Sequence, residues 1–193
     1  MLKCLNVKMK SEGTTLIEML AAVAIFAITV GAISGIFISA IRTQRRVLAS
    51  QELFDQTSYV LEYMGRALRM AKKDKDGTCI PAGKNYEVSP WGDSIKFIKF
   101  DYATNSDVCY NFYLDSNQQI YESKNWAAGI AQTSEKLSVN SLKFNLSGDE
   151  IGESPNLQPR VTIFLRIEGR EAAGSRPKIQ VQTSISQRDL DTL

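Results

Sequence analysis

The sequence predicts an α+β chain: one long N-terminal helix, membrane-spanning in its first half and amphipathic in its second, packed against an antiparallel β-sheet head. Three observations carry this. Residues 19–41, MLAAVAIFAITVGAISGIFISAI, hold no charged side chain. From Arg42 to Lys73 there is no proline and a single glycine, Gly65, with apolar residues recurring at helical spacing. After Gly77 the hydrophobic period changes from 3.6 to 2, the period of strands.

A helix over residues 19–41 rises about 35 Å, enough to cross a hydrocarbon core of about 30 Å. The core helix of a soluble protein seldom runs so far without a charge. A secretory signal has an apolar core of about 7–15 residues that ends in a small-residue cleavage site, whereas this run passes straight into a polar helix. Lys3, Lys8 and Lys10 on one side balance Arg42, Arg45 and Arg46 on the other, so charge alone does not orient the span.

In the second half, Val47, Phe54, Leu61 and Leu68 form one helical stripe, with Leu53, Val60, Met64, Ala67 and Ala71 beside them. Joined to the membrane segment, this makes a helix of about sixty residues, about 90 Å long. The seven-residue spacing also suits a coiled coil, but Ser50 and Thr57 are polar at the companion positions, which favours packing onto the chain's own sheet. Lys72 and Lys73 near the C-terminus and Gly77 beyond it end the helix. Asp74 and Asp76 before Gly77 resemble a calcium loop only in part, and with the other ligand positions missing no metal is expected.

Strands are expected at Ser94–Tyr102, Val108–Leu114, Gln119–Glu122, Leu137–Leu146, Val161–Ile167 and Ile179–Ser186, with a hairpin turn at Asp115-Ser116-Asn117. Val161, Ile163, Leu165 and Ile167 alternate with Thr162, Phe164, Arg166 and Glu168, the pattern of a sheet with one buried face. Gly148 to Pro159, carrying Gly152 and Pro155, reads as a surface loop.

Composition narrows the function. With 44% apolar and 23% charged residues in 193, neither disorder nor a collagen-like fibre fits. The net charge of +2 comes from Lys3, Lys8 and Lys10 against Glu12; beyond Gly13 basic and acidic side chains balance, so nucleic acid is not indicated as a partner. The absence of histidine removes the commonest general base, the usual zinc ligand and the middle member of hydrolytic triads. No nucleophile stands beside a base, so catalysis and cofactors are not expected. Of three cysteines, Cys4 lies near the N-terminus without a lipobox around it. Cys79 and Cys109 lie downstream, where an exported location permits either a disulfide between them or two separate buried thiols.

The junction Lys10-Ser11-Glu12-Gly13-Thr14-Thr15-Leu16-Ile17-Glu18-Met19-Leu20 resembles the type IV prepilin signal: a short basic leader ending in Gly, a cut before the apolar segment, and a Glu at the fifth mature position. The resemblance covers about thirty residues and implies the following. A prepilin peptidase facing the cytoplasm cleaves after Gly13, leaving Thr14 as the mature N-terminus, and the same enzyme usually methylates the new amine. The family most often has Phe where this chain has Thr14, which leaves methylation open. The implied organisation is a leader over 1–13, a membrane and assembly segment over 14–41, an amphipathic helix over 42–73 and a β-rich head over 74–193. The mature length and the ending from Val181 to Leu190 look most like minor pilins and J-type pseudopilins of type II secretion. The implied location is the inner membrane, single-pass with the leader in the cytoplasm and the head outside, followed by a periplasmic or cell-surface filament.

Glu18 has two readings. Thr15-Leu16-Ile17-Glu18 matches a capping box, in which the Thr and Glu side chains satisfy free backbone donors at a helix start. The pilin resemblance implies instead that Glu18 pairs with the N-terminal amine of a neighbouring subunit, a partner that a carboxylate at the edge of a membrane segment needs. Ala27, Gly31, Gly35 and Ser39 recur every four residues, a spacing that suits a seam between membrane helices and also arises readily in any helix of this composition. The expected function is therefore a non-catalytic minor pilin or pseudopilin, partnered by prepilin peptidase, by other pilins and, before assembly, by membrane lipid. The alternative is a single-pass anchored, extracytoplasmic ligand-binding module.

Overall fold

Helix α1 runs from Leu16 to Arg69 without interruption in the computed structural model, which describes residues 13–148, 158–170 and 176–187. Residues 1–12 of the leader, most of the Gly148–Pro159 loop and the chain beyond Gln187 lie outside the described residues. The chain divides into two units, the second beginning at Arg46. In the first, residues 13–15 lead into the apolar part of α1, whose side chains are exposed on every side up to Ala40. That part is long and apolar enough to cross a membrane.

In the second unit α1 ends four residues before the expected Lys73. Met70 N–H bonds to the Ala67 carbonyl at 3.2 Å, tightening the last turn. The chain then enters β1, Ala71–Lys72, which pairs with β3, Ser94–Asp101, through Ala71↔Lys99 and Lys72↔Ile98. Tertiary pairing overrides helical propensity here, because the Lys72 ammonium reaches Asp107 at 2.8 Å and lies over the Phe100 ring.

All strand pairs are antiparallel. The expected single sheet is two. The first joins β1, β3, β4 (Ser106–Leu114), β5 (Ile120–Lys124) and β6 (Ile130–Ala131) in that order, with β2 (Glu87–Val88) also on β3. The second orders β7 (Leu137–Ser147), β8 (Arg160–Gly169) and β9 (Lys178–Ser186). Isolated backbone bonds join them, from Phe144 N–H to Gly92 O at 2.7 Å and from Val139 N–H to Gln118 O at 2.8 Å. The six longer strands lie where the sequence alternates. β1, β2 and β6 have two residues each, too few to show a period.

The buried face of α1 is offset from the expected stripe. Leu53, Thr57, Val60, Met64, Ala67 and Leu68 are buried, whereas Val47 and Phe54 are 48% and 58% exposed. Steps of four and three from Leu53 to Ala67 hold one face, and Phe54 stands about 100° round from it. The polar Thr57 is tolerated because its hydroxyl donates to the Leu53 carbonyl at 2.6 Å within the helix. Against this face pack Phe97 and Phe112 from the first sheet, and Ile163, Leu165 and Ile185 from the second. Thr57→Val removes only that internal bond and is expected to change stability by less than about 1 kcal/mol. Met64→Ala opens a core cavity and is expected to cost about 3 kcal/mol. Denaturant unfolding of the detergent-solubilised variants measures both.

Candidate functional site

The residues singled out at the N-terminus sit where α1 begins. Gly13 and Thr14 are exposed and outside regular structure, and a Cβ placed on Gly13 would meet nothing within 4 Å among the described residues, which make no packing demand for glycine there. Thr15 caps the helix: its carbonyl accepts the N–H groups of Glu18 at 3.1 Å and Met19 at 3.2 Å. The Glu18 carboxylate reaches back to the Thr15 N–H at 3.5 Å, the long half of a capping box. Glu18 is the one charged side chain between Gly13 and Arg42.

The helix beyond it presents apolar groups all round, Leu16 being 84% exposed, Ile28 72% and Ile36 71%. Ala27, Gly31, Gly35 and Ser39 are exposed, and a Cβ on Gly31 or Gly35 would meet nothing within 4 Å. The stripe thus leaves an open, low-relief surface, the kind on which a second helix backbone approaches closely.

In the second unit, Cys79 and Cys109 are joined in a disulfide, their Cα atoms 5.6 Å apart. It ties the segment after α1 to β4, with Ile80 and Ile98 packed beside it. Asp74, 2% exposed, shapes that segment from within. Its Oδ1 accepts the N–H of Gly77 at 2.8 Å and of Asp76 at 3.2 Å, while Oδ2 accepts those of Cys79 at 2.8 Å and Ile80 at 3.1 Å. Burial would raise its pKa, but the N–H groups of Cys79, Ile80, Thr78 and Gly77 outweigh that and hold the carboxyl below its ordinary range. This accounts for the partial calcium-loop pattern: both oxygens of Asp74 are engaged by backbone donors. No group of three metal-ligating side chains occurs among the described residues.

A second buried carboxylate, Glu122, accepts the Tyr63 hydroxyl at 2.9 Å and the Gln132 amide at 3.1 Å. Burial raises the Tyr63 pKa, and the Glu122 hydrogen bond and charge raise it further. Tyr110 is pushed up to about 12 by burial and by the charges of Asp101 and Glu122. Sequence periodicity gave no sign of Asp74 or Glu122 as organising groups; an acid inside an otherwise apolar-facing strand row, Ile120-x-Glu122, is the one trace of the latter. Both carboxylates are spent on hydrogen bonds that shape the fold.

The long apolar N-terminal helix followed by antiparallel sheets is compatible with a pilin-like order. Comparisons with family models, with curated proteins and with solved structures return no match.

Asp74→Ala strands several buried N–H groups and is expected to cost about 3 kcal/mol. Because the Asp74 pKa is lowered on folding, its contribution is present above the ordinary carboxylate range and lost as pH falls through the folded value. The acid limb of an unfolding-versus-pH curve is therefore shallower in the variant. For tyrosine the direction reverses, since raised values stabilise the fold below the unfolded pKa of 10.0 and withdraw that contribution as pH climbs through them. In phenolate absorbance of the native protein, Tyr63 and Tyr110 are expected to titrate above the ordinary tyrosine value, and Tyr63→Phe and Tyr110→Phe each to remove a late-titrating group.

Proposed function

We propose that this chain is a non-catalytic, membrane-inserted filament subunit of the type IV pilin kind, a minor pilin or pseudopilin, cut after Gly13 by a prepilin peptidase. The observation that carries the reading is Glu18, a lone carboxylate in the first turn of a helix whose apolar side chains are exposed on all sides as far as Ala40. A carboxylate at the edge of hydrocarbon is costly without a partner. Its hydrogen bond among the described residues is the 3.5 Å capping bond, too long to satisfy a charge. Cleavage after Gly13 creates a cationic amine at Thr14, and the amine of a neighbouring subunit is a charge-assisted partner for Glu18. Gly13 supports the same reading, since its open surroundings suit entry into a peptidase site. The apolar surface of residues 16–41 requires lipid before assembly and neighbouring helices afterwards, with Gly31 and Gly35 admitting close approach.

In cells carrying a prepilin peptidase, the mature protein is expected to lose the mass of residues 1–13; an intact leader would favour the single-pass anchored module. Glu18→Ala is expected to leave processing and membrane insertion unchanged and to lower incorporation into sheared filaments at least about tenfold, equivalent to about 1.4 kcal/mol. Unchanged incorporation would sink the proposed pairing.

A further inference from the structure

The face of the first sheet that points away from α1 carries a transverse polar row. Register places Glu87 of β2 opposite Lys96 of β3, Lys96 opposite Asn111 of β4, and Asn111 opposite Ser123 of β5. Residues opposite one another in an antiparallel ladder share a face, so the four side chains form one line across four strands, about 14 Å long. One neighbouring row holds Tyr113 and Tyr121, stacked with their centroids 5.8 Å apart. The other holds Ile98 and the disulfide-bonded Cys109, covered by Cys79 and Ile80.

Trp126 stands over this row. It is 67% exposed, and the Lys96 ammonium lies 5.1 Å from its ring centroid. Its backbone is held in the left-handed region, φ 64° after Asn125 at φ 46°, in a turn closed by the Ala127 N–H on the Lys124 carbonyl at 2.9 Å. That conformation is unusual for a bulky side chain and costs about 1–3 kcal/mol unless its surroundings enforce it. They do: Asn125 N–H donates to the Cys109 carbonyl at 2.8 Å, and its side-chain oxygen accepts the Cys109 N–H at 2.9 Å. A strained turn is thus anchored on a disulfide-bonded strand and holds an indole outward. In the middle of the row, Asn111 Oδ1 is enclosed and has no hydrogen-bond partner. A buried acceptor left unbonded costs about 1–3 kcal/mol.

We propose that this face binds a neutral oligosaccharide. The Trp126 ring supplies a flat apolar platform for the C–H face of a pyranose. The row beneath alternates donors and acceptors, Lys96 and the Ser123 hydroxyl beside Glu87 and Asn111, which matches sugar hydroxyls that both donate and accept. When the Lys96 side chain swings aside from the Trp126 ring on binding, a sugar hydroxyl takes its place and supplies the donor that Asn111 Oδ1 lacks. Lys96 and Glu87 pair at 3.3 Å and cancel each other's charge, so the row selects a neutral ligand over an anionic one. Its length exceeds a single ring and calls for several linked sugars. The inference is independent of the filament reading, because it concerns neither processing nor assembly.

The test uses full-length protein in a detergent without a sugar headgroup, carrying Trp91→Phe so that Trp126 is the one tryptophan left to report. It is titrated with cellopentaose, chitopentaose and mannopentaose, and with anionic pentagalacturonate. At least one neutral oligosaccharide is expected to give a saturable change in Trp126 emission that persists at high salt. By calorimetry, Trp126→Ala weakens that binding at least about tenfold, as loss of a central aromatic anchor does. Asn111→Ala and Ser123→Ala, which leave the turn intact, weaken it several-fold. Retention of the Cys79–Cys109 disulfide and of the unfolding midpoint checks each variant's fold. Absence of binding by all three neutral sugars, tighter binding of pentagalacturonate, or affinity unchanged in Trp126→Ala or in both row variants would overturn the proposal.

Discussion

Both sheets rest on one helical seam. Leu53, Val60, Met64, Ala67 and Leu68 supply the apolar surface against which the first sheet sets its aromatic residues and the second its branched aliphatics. Without α1 neither sheet has a covered inner face, because each is an open antiparallel layer with one apolar side. The seam also solves the problem of the helix end, where carbonyls lose their intrahelical donors. The Tyr86 hydroxyl donates to the Leu68 carbonyl at 2.7 Å, and the Gln187 amide donates to the Ala71 carbonyl at 2.8 Å. Gln187 in turn accepts from Asn85 at 2.7 Å. Residues from two distant stretches of chain, 85–86 and 187, thereby close the end of the helix inside the core.

Buried charge is used sparingly and locally. Asp74 folds the segment after α1 around its two oxygens, and the disulfide fixes that segment on the outer face of the first sheet. Glu122 holds Tyr63 of the helix to β5 and β6 through Tyr63 and Gln132. The two carboxylates have opposite consequences for their surroundings. Donors around Asp74 stabilise its charge, whereas the charge of Glu122 suppresses ionisation of the tyrosine that bonds to it. The stability that the first contributes is therefore lost in acid, and that of the second is lost in alkali.

Legibility varied with how local the cause was. The uncharged run of residues 19–41 and the alternation of Val161 to Ile167 are set by period and length, so both were readable. The exact face of α1 was not. Phe54 fits the apolar stripe as well as Leu53 does, and only contact with the sheets decides which of two neighbouring residues is covered. Thr57 was read only as a polar companion position, because its bond to the Leu53 carbonyl, which lets it be buried, is invisible until a helix exists. The N-terminal residues could be singled out in the sequence because they are consecutive. The row from Glu87 to Ser123 was not, since strand register brings together residues up to thirty-six positions apart.

The sequence by itself determined the element order, the apolar length of the first helical half, the position of a lone carboxylate at its start and the strands long enough to show a period. These are properties of neighbouring residues and their spacing. Only the tertiary structure decided that α1 stops at Arg69, that the strands divide into two sheets, that Cys79 meets Cys109 and that Trp126 stands over Lys96. Each of these is a competition between local propensity and a partner supplied from elsewhere in the chain. The partner prevails where it satisfies a backbone group or covers apolar surface that the local segment leaves exposed.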